Sequence, residues 1–150
     1  MHESLKNNEL VTGISILAVL KNVTEIEVTK VLLIEPMFSY TSILSFLSRK
    51  NSSIHSIEDL IIKQCVTFTN FNNRFFEKLD LTMNSIMLFQ KMGLLRMSGN
   101  KVLFLAYDFD FNNRGLGEIV CKRIMAADKL AEILKKGDAT DLYLSLRIEI

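Results

Sequence analysis

The stretch that decides the fold is Thr82–Ala106, TMNSIMLFQKMGLLRMSGNKVLFLA. Thr82 is an N-cap residue type, and Ile86, Phe89 and Met92 recur at helical spacing behind it. Gly93 supplies the left-handed residue that ends many helices. Leu94–Ser98 and Lys101–Ala106 are β-prone runs joined by Gly99-Asn100, a dipeptide suited to a two-residue hairpin turn. A helix passing directly into a tight hairpin is how a winged helix-turn-helix ends. Upstream, Asn72 or Asn73 opens a predicted helix over Arg74–Leu79, in the place of the first helix of the pair. Such an element either reads DNA or docks on protein.

Outward from that stretch, the N-terminal side reads as helical. Glu9–Lys21 carries Leu10, Ile14, Leu17 and Ala18 on one face. Thr24 and Glu27 have the spacing of a capping box and predict a second helix, although its β-branched residues (Ile26, Val28, Val31, Ile34) also permit a strand. Pro36 is expected to end or kink that segment. Tyr40–Ser48 reads as a third helix, followed by a polar loop over Arg49–Ser53. Ser56 and Asp59 mark another helix start. Beyond the hairpin, Glu118–Lys136 predicts a long helix with Val120, Ile124, Ala127, Leu130, Ala131 and Leu134 buried. Gly137 ends it, and Asp138 caps a last turn over Ala139–Leu146. The fold class is mainly α with one β-hairpin, a winged-helix-like helical domain. A single domain over 1–150 accounts for all of it, with N-terminal helices at 8–48, the winged-helix-like region at 54–106 and C-terminal helices at 116–147. The repeated tetrapeptide FNNR, at Phe71–Arg74 and Phe111–Arg114, is explained by asparagine capping and has no similarity around it.

Composition narrows the function. Of 150 residues, 49% are hydrophobic and 23% charged, which leaves little polar surface to spare and predicts that part of the apolar surface is covered by another protein. Net charge is +1, whereas autonomous nucleic-acid binders usually carry a clear basic excess for phosphate neutralisation. Apolar runs such as Ile14–Leu20 fall short of the ~18 residues a membrane span needs. No cleavable leader is evident in MHESLKNNEL, and the expected location is the cytoplasm. Cys65 and Cys121 read as small buried hydrophobes in a reducing compartment.

Catalytic chemistry finds few candidates. His2 and His55 lack a triad-type neighbourhood in the sequence. Arg114–Glu118 has two glycines but no lysine of a phosphate loop. Asp108 and Asp110 alternate, and would point the same way on a strand, without an assured third acid for a metal. No cofactor, metal site or catalytic residue is expected. For DNA contact the candidates are Asn84, Ser85, Gln90 and Lys91 on the helix, with Arg96 and Lys101 on the hairpin. Met83, Met87, Leu88 and Phe89 make the same helix apolar on more than one side, which suits protein contact better than groove reading.

Three segments carry a resemblance to a family. Asn8–Tyr40, with KVLLIEPMF, resembles the N-terminal helix and proline-interrupted apolar segment of the middle component of three-component ABC-ATPase systems, the accessory subunit of Lamassu-type bacterial defence. Leu81–Met97, LTMNSIMLFQKMGLLRM, is similar to its helix ending in glycine and paired leucines. Ala126–Arg147, AADKLAEILKKGDATDLYLSLR, looks like its closing helix, gap and short terminal helix. The family's tail often ends in a Gly-Val-Arg-Pro-like sequence; only Arg147 corresponds here, within Ser145–Ile148. The resemblance implies a non-enzymatic subunit assembled with an SMC-like, coiled-coil ABC ATPase and an effector, often a nuclease, acting against phage or plasmid DNA. It implies DNA association through the complex. Leu142, Tyr143, Leu146, Arg147, Ile148 and Ile150 are the expected partner-binding residues, with core packing as the competing role for the apolar ones. A small winged-helix transcriptional regulator, acting as a homodimer, is the alternative.

Overall fold

A computed structural model describes residues 8–149. Helix α1 (Glu9–Val23) begins at Asn8, whose side-chain oxygen accepts a hydrogen bond from the Leu10 amide at 2.7 Å. It is buried on nearly every side from Thr12 to Leu20. A helix that is apolar all round belongs at the centre of a domain, and α1 occupies that place, with other helices packed about it. Leu10, expected on the inner face, is 49% exposed at the helix start.

The capping box expected at Thr24 and Glu27 does not form. Thr24 instead terminates α1 at φ 64°, its amide bonded to the Leu20 carbonyl at 2.7 Å. The chain then enters strand β1 (Glu25–Glu27), followed by the single turn α2 (Val28–Val31). The β-branched residues here follow their strand preference because a partner strand is available. The chain bends again before Pro36, which sits in the first turn of α3 (Ile34–Phe38), where its missing N–H has no intrahelical partner. Helix α4 (Thr41–Ser48) follows as expected. The most apolar stretch, 28–48, is bent by 102° between its two parts, and among the described residues no single helix is long and apolar enough to cross a membrane.

Ser56 caps α5 (Ile57–Lys63), its hydroxyl accepting from the Asp59 amide at 3.1 Å. A short turn α6 (Cys65–Phe68) precedes α7 (Phe71–Lys91). The expected pair of helices, Arg74–Leu79 and a second opened by Thr82, is in fact this one continuous helix of 21 residues. Thr82 is fully buried in its middle, and its hydroxyl donates back to the Lys78 carbonyl at 3.0 Å. A hydroxyl satisfied within its own helix has no reason to start a new one.

Helix α7 ends as expected at Gly93 (φ 75°), with the Gly93 amide bonded to Gln90 and the Leu94 amide to Phe89. Strands β2 (Leu95–Ser98) and β3 (Lys101–Phe104) form the expected hairpin, with Gly99 at φ 62° opening its turn. Strand β1 adds to the far edge of β3, giving an antiparallel sheet of order β1-β3-β2. A 3-10 turn (Arg114–Leu116) leads to α8 (Glu118–Lys136), whose bounds match the expectation, and α9 (Ala139–Ser145) closes the chain. Asp138 occupies the N-cap of α9 without a side-chain capping bond. The architecture is mainly helical with one small sheet, and its order of helix, strand, helices, long helix and hairpin is winged-helix-like.

Candidate functional site: the outer face of the long helix and its neighbours

Helix α7 has two distinct sides. Phe71, Phe75, Lys78, Thr82, Ser85, Ile86 and Phe89 face inward. Phe89 lies over Gly13 of α1, where a Cβ would fall 2.2 Å from its ring. Ser85 is fully buried and donates to the Leu81 carbonyl at 2.7 Å, so it is no DNA contact. On the outer side Phe76, Met83 and Met87 are 44%, 40% and 56% exposed. Met83 and Met87 are four residues apart and Phe76 is seven before Met83, so the three share one stripe. Phe89 is core, whereas the two methionines are surface.

The four DNA-contact candidates retained on the surface are Asn84, Lys91, Arg96 and Lys101, all exposed. Gln90 is engaged elsewhere: its side-chain oxygen accepts from the Met97 amide at 2.7 Å and ties the helix to the hairpin. Strand register puts Arg96 opposite Leu103 and Lys101 opposite Ser98, so both cations share one sheet face. Glu25 and Glu27, opposite Leu103 and Lys101 on β1, share that face too. The Lys101 ammonium lies 3.5 Å from the Glu25 carboxylate. Two cations and two anions leave the outer face of the sheet without net charge, a poor match for phosphates.

At the C-terminus, Leu142, Leu146 and Ile148 are buried at 1%, 3% and 8% exposure. Of the two roles expected for them, partner anchor or core packing, they take the second and pack into the chain's own core. Tyr143 is half-buried, with its ring edge against Phe75 and its hydroxyl donating to the Thr29 carbonyl at 2.6 Å. Burial pushes that phenol up to about 12. Arg147 is exposed at φ 58°, and Ile150 lies outside the described residues. The residue that does face outward here is Leu144, 70% exposed, beside a shallow groove of about 330 Å³ that Tyr143 and Ile148 also line. The Glu149 amide donates to the Asn72 side chain at 2.8 Å, which fastens the tail to the first turn of α7.

Two arrangements were not anticipated. Glu35 and Arg123 form a bidentate ion pair inside the core, at 2.6 and 3.1 Å, with side chains 0% and 5% exposed. The Thr12 hydroxyl donates to Glu35 at 2.8 Å, so α1, α3 and α8 meet at one polar node. The signal was present as a carboxylate inside LLIEPMF and an arginine on the apolar face of α8. Near the surface, His55 lies 3.4 Å from the Ser53 hydroxyl and 3.7 Å from the Glu132 carboxylate, which comes from a helix more than 60 residues further along the chain. His55 is 70% exposed in its side chain, and Glu132 is held lower than an ordinary carboxylate first by its hydrogen bond to Lys136. These are therefore exposed, solvent-screened contacts.

Asp108 and Asp110 are exposed, Asp110 accepting from the Asn112 amide at 3.0 Å. Among the described residues no group of three His, Cys, Asp or Glu side chains could hold a metal ion. His2 lies outside those residues. Cys65 is exposed and Cys121 half-buried, correcting the expectation that both are buried. Cys65 sits in α6, a single turn with only Phe68 buried. No family model, curated protein or solved structure matches the chain.

Proposed function

We propose that this chain is a non-enzymatic adaptor subunit of an SMC-like ABC-ATPase defence complex, bridging the ATPase and a nuclease-type effector against phage or plasmid DNA. The observation that carries the reading is the outer stripe of α7, where Phe76, Met83 and Met87 stand exposed, the two methionines on the segment that resembles the accessory subunit. Flexible, polarizable methionines adapt to an apolar partner surface and gain little from a DNA groove. Leu144 extends the same opportunity to the C-terminal helix. Buried apolar anchors of this kind carry most of an interface's affinity. The deeper C-terminal leucines keep α9 in place and set where Leu144 points.

Co-expression with an SMC-like ABC ATPase of the same host tests the proposal. The wild-type chain is expected to co-purify, and Met83→Asp/Met87→Asp to lose the ATPase while keeping its helical circular dichroism. Retention of the ATPase by the folded double variant contradicts the reading. The alternative, a winged-helix transcriptional regulator, draws on the exposure of Asn84, Lys91, Arg96 and Lys101 beside the hairpin. It requires a salt-dependent shift of duplex DNA by the purified chain alone.

A further inference from the structure

Between the start of α4, the first half of α7 and the first turn of α8 lies a cleft of about 530 Å³, within the range of small-ligand sites. Phe38, Tyr40 and Leu44 supply apolar lining. Arg74 and Lys78 come from α7, Lys122 and Arg123 from α8, and Glu118 is the one carboxylate on the lining. Arg123 is neutralised by its bidentate pair with Glu35, and the cations left on the lining still outnumber Glu118, in a chain whose net charge is only +1.

The cations are held in place. Arg74 donates to the Ser39 hydroxyl at 2.9 Å, and its guanidinium lies 4.1 Å from the centroid of the Tyr40 ring. Its ion pair with Glu77, at 3.6 Å, involves a carboxylate that is mostly in solvent. The Lys122 ammonium donates to the Ser45 hydroxyl at 2.8 Å, a neutral partner that leaves its charge uncompensated. Arg123 is 4% exposed, and its Nε has no hydrogen-bond acceptor among the described residues. Helix α8 lines the cleft with the flank of its first two turns, through Glu118, Ile119, Lys122 and Arg123.

We propose that this cleft binds a phosphate-bearing small molecule of mononucleotide size. Arg74 and Lys122 take the phosphate, and the planar or apolar part rests on Ile119, which is 43% exposed on the cleft wall, beside the edge of Tyr40. The site is independent of the adaptor reading and of the methionine stripe on α7.

Calorimetric titration of the full chain at constant ionic strength tests it with four probes: inorganic phosphate, adenosine monophosphate, adenosine and a short DNA duplex. Adenosine monophosphate is expected to saturate, more tightly than phosphate, while adenosine gives no heat. Lys122→Gln and Arg74→Gln are each expected to weaken it about tenfold or more, the loss of one charge-assisted hydrogen bond. Lys122→Gln, which breaks no ion pair, should keep the thermal midpoint of the unliganded chain, and Lys135→Gln on the far end of α8 should leave binding unchanged. The proposal is overturned if neither phosphate nor the nucleotide saturates, if adenosine binds equally, if only the duplex binds, or if Lys122→Gln binds like wild type.

Discussion

Replacing Arg123 by methionine removes one side of the buried ion pair and leaves Glu35, which has no solvent exposure, with only the Thr12 hydroxyl. An uncompensated buried charge of this kind costs about 3–5 kcal/mol. A domain of this size is stable by roughly 5–15 kcal/mol, so the loss is about a fifth of the total or more. With a urea dependence of about 2 kcal/mol per molar, the denaturation midpoint falls by roughly 1.5–2.5 M. Glu35→Met should cost a similar amount, because it strands the Arg123 guanidinium at 5% exposure. The double variant Glu35→Met/Arg123→Met buries no charge. It gives up the Thr12 contact and should lose only about 1–3 kcal/mol. Urea unfolding of the four proteins, followed by circular dichroism, closes the cycle, and the coupling is expected to exceed about 2 kcal/mol. Single variants that each lose less than about 1 kcal/mol, with additive effects, would refute the view that this node ties α1, α3 and α8 together.

Gly13→Ala sets helix propensity against sterics: alanine favours α1 by about 1 kcal/mol, but its Cβ meets the Phe89 ring at 2.2 Å. Overpacking costs about 1–3 kcal/mol, so a net loss is expected in urea unfolding, relieved by adding Phe89→Leu. Thr24→Gly should stabilise by about 1 kcal/mol in the same assay, since a β-branched residue at φ 64° is strained and glycine is not. Tyr143 is raised from 10.0 to about 12 by burial, so between those values the unfolded chain has released the proton and the folded chain has kept it. Its contribution is therefore complete below pH 10 and is lost as pH rises toward 12. Tyr143→Phe should flatten that part of the stability profile.

Local chemistry explains which elements were legible. The Gly93 stop, the Gly99-Asn100 turn, the Ser56 cap and the 19-residue α8 all rest on contacts within a few residues, and the structure has each of them. Thr82 misled because small hydroxyl residues look like caps when the apolar period lapses. Here Thr82 and Ser85 lie on the buried face of α7 and satisfy themselves on the preceding turn. Thr24 misled for the converse reason, since Glu25–Glu27 becomes a strand through pairing with β3, more than 70 residues away. The Glu35–Arg123 pair spans 88 residues, so only a charge out of place in each apolar pattern announced it. The C-terminal apolar run was visible as a cluster, but the division between core (Leu142, Leu146) and surface (Leu144) depends on how α9 seats on the rest of the chain.

Oxidative footprinting of methionine tests the adaptor reading most directly. Met83 and Met87 are 40% and 56% exposed in the isolated chain and should convert readily to sulfoxide, as should Met125 on α8, which is 57% exposed. In the purified complex with the ATPase, oxidation at Met83 and Met87 is expected to fall sharply while Met125 keeps its rate. Unchanged oxidation at Met83 and Met87 in that complex would contradict the assignment of the outer face of α7 as the docking surface.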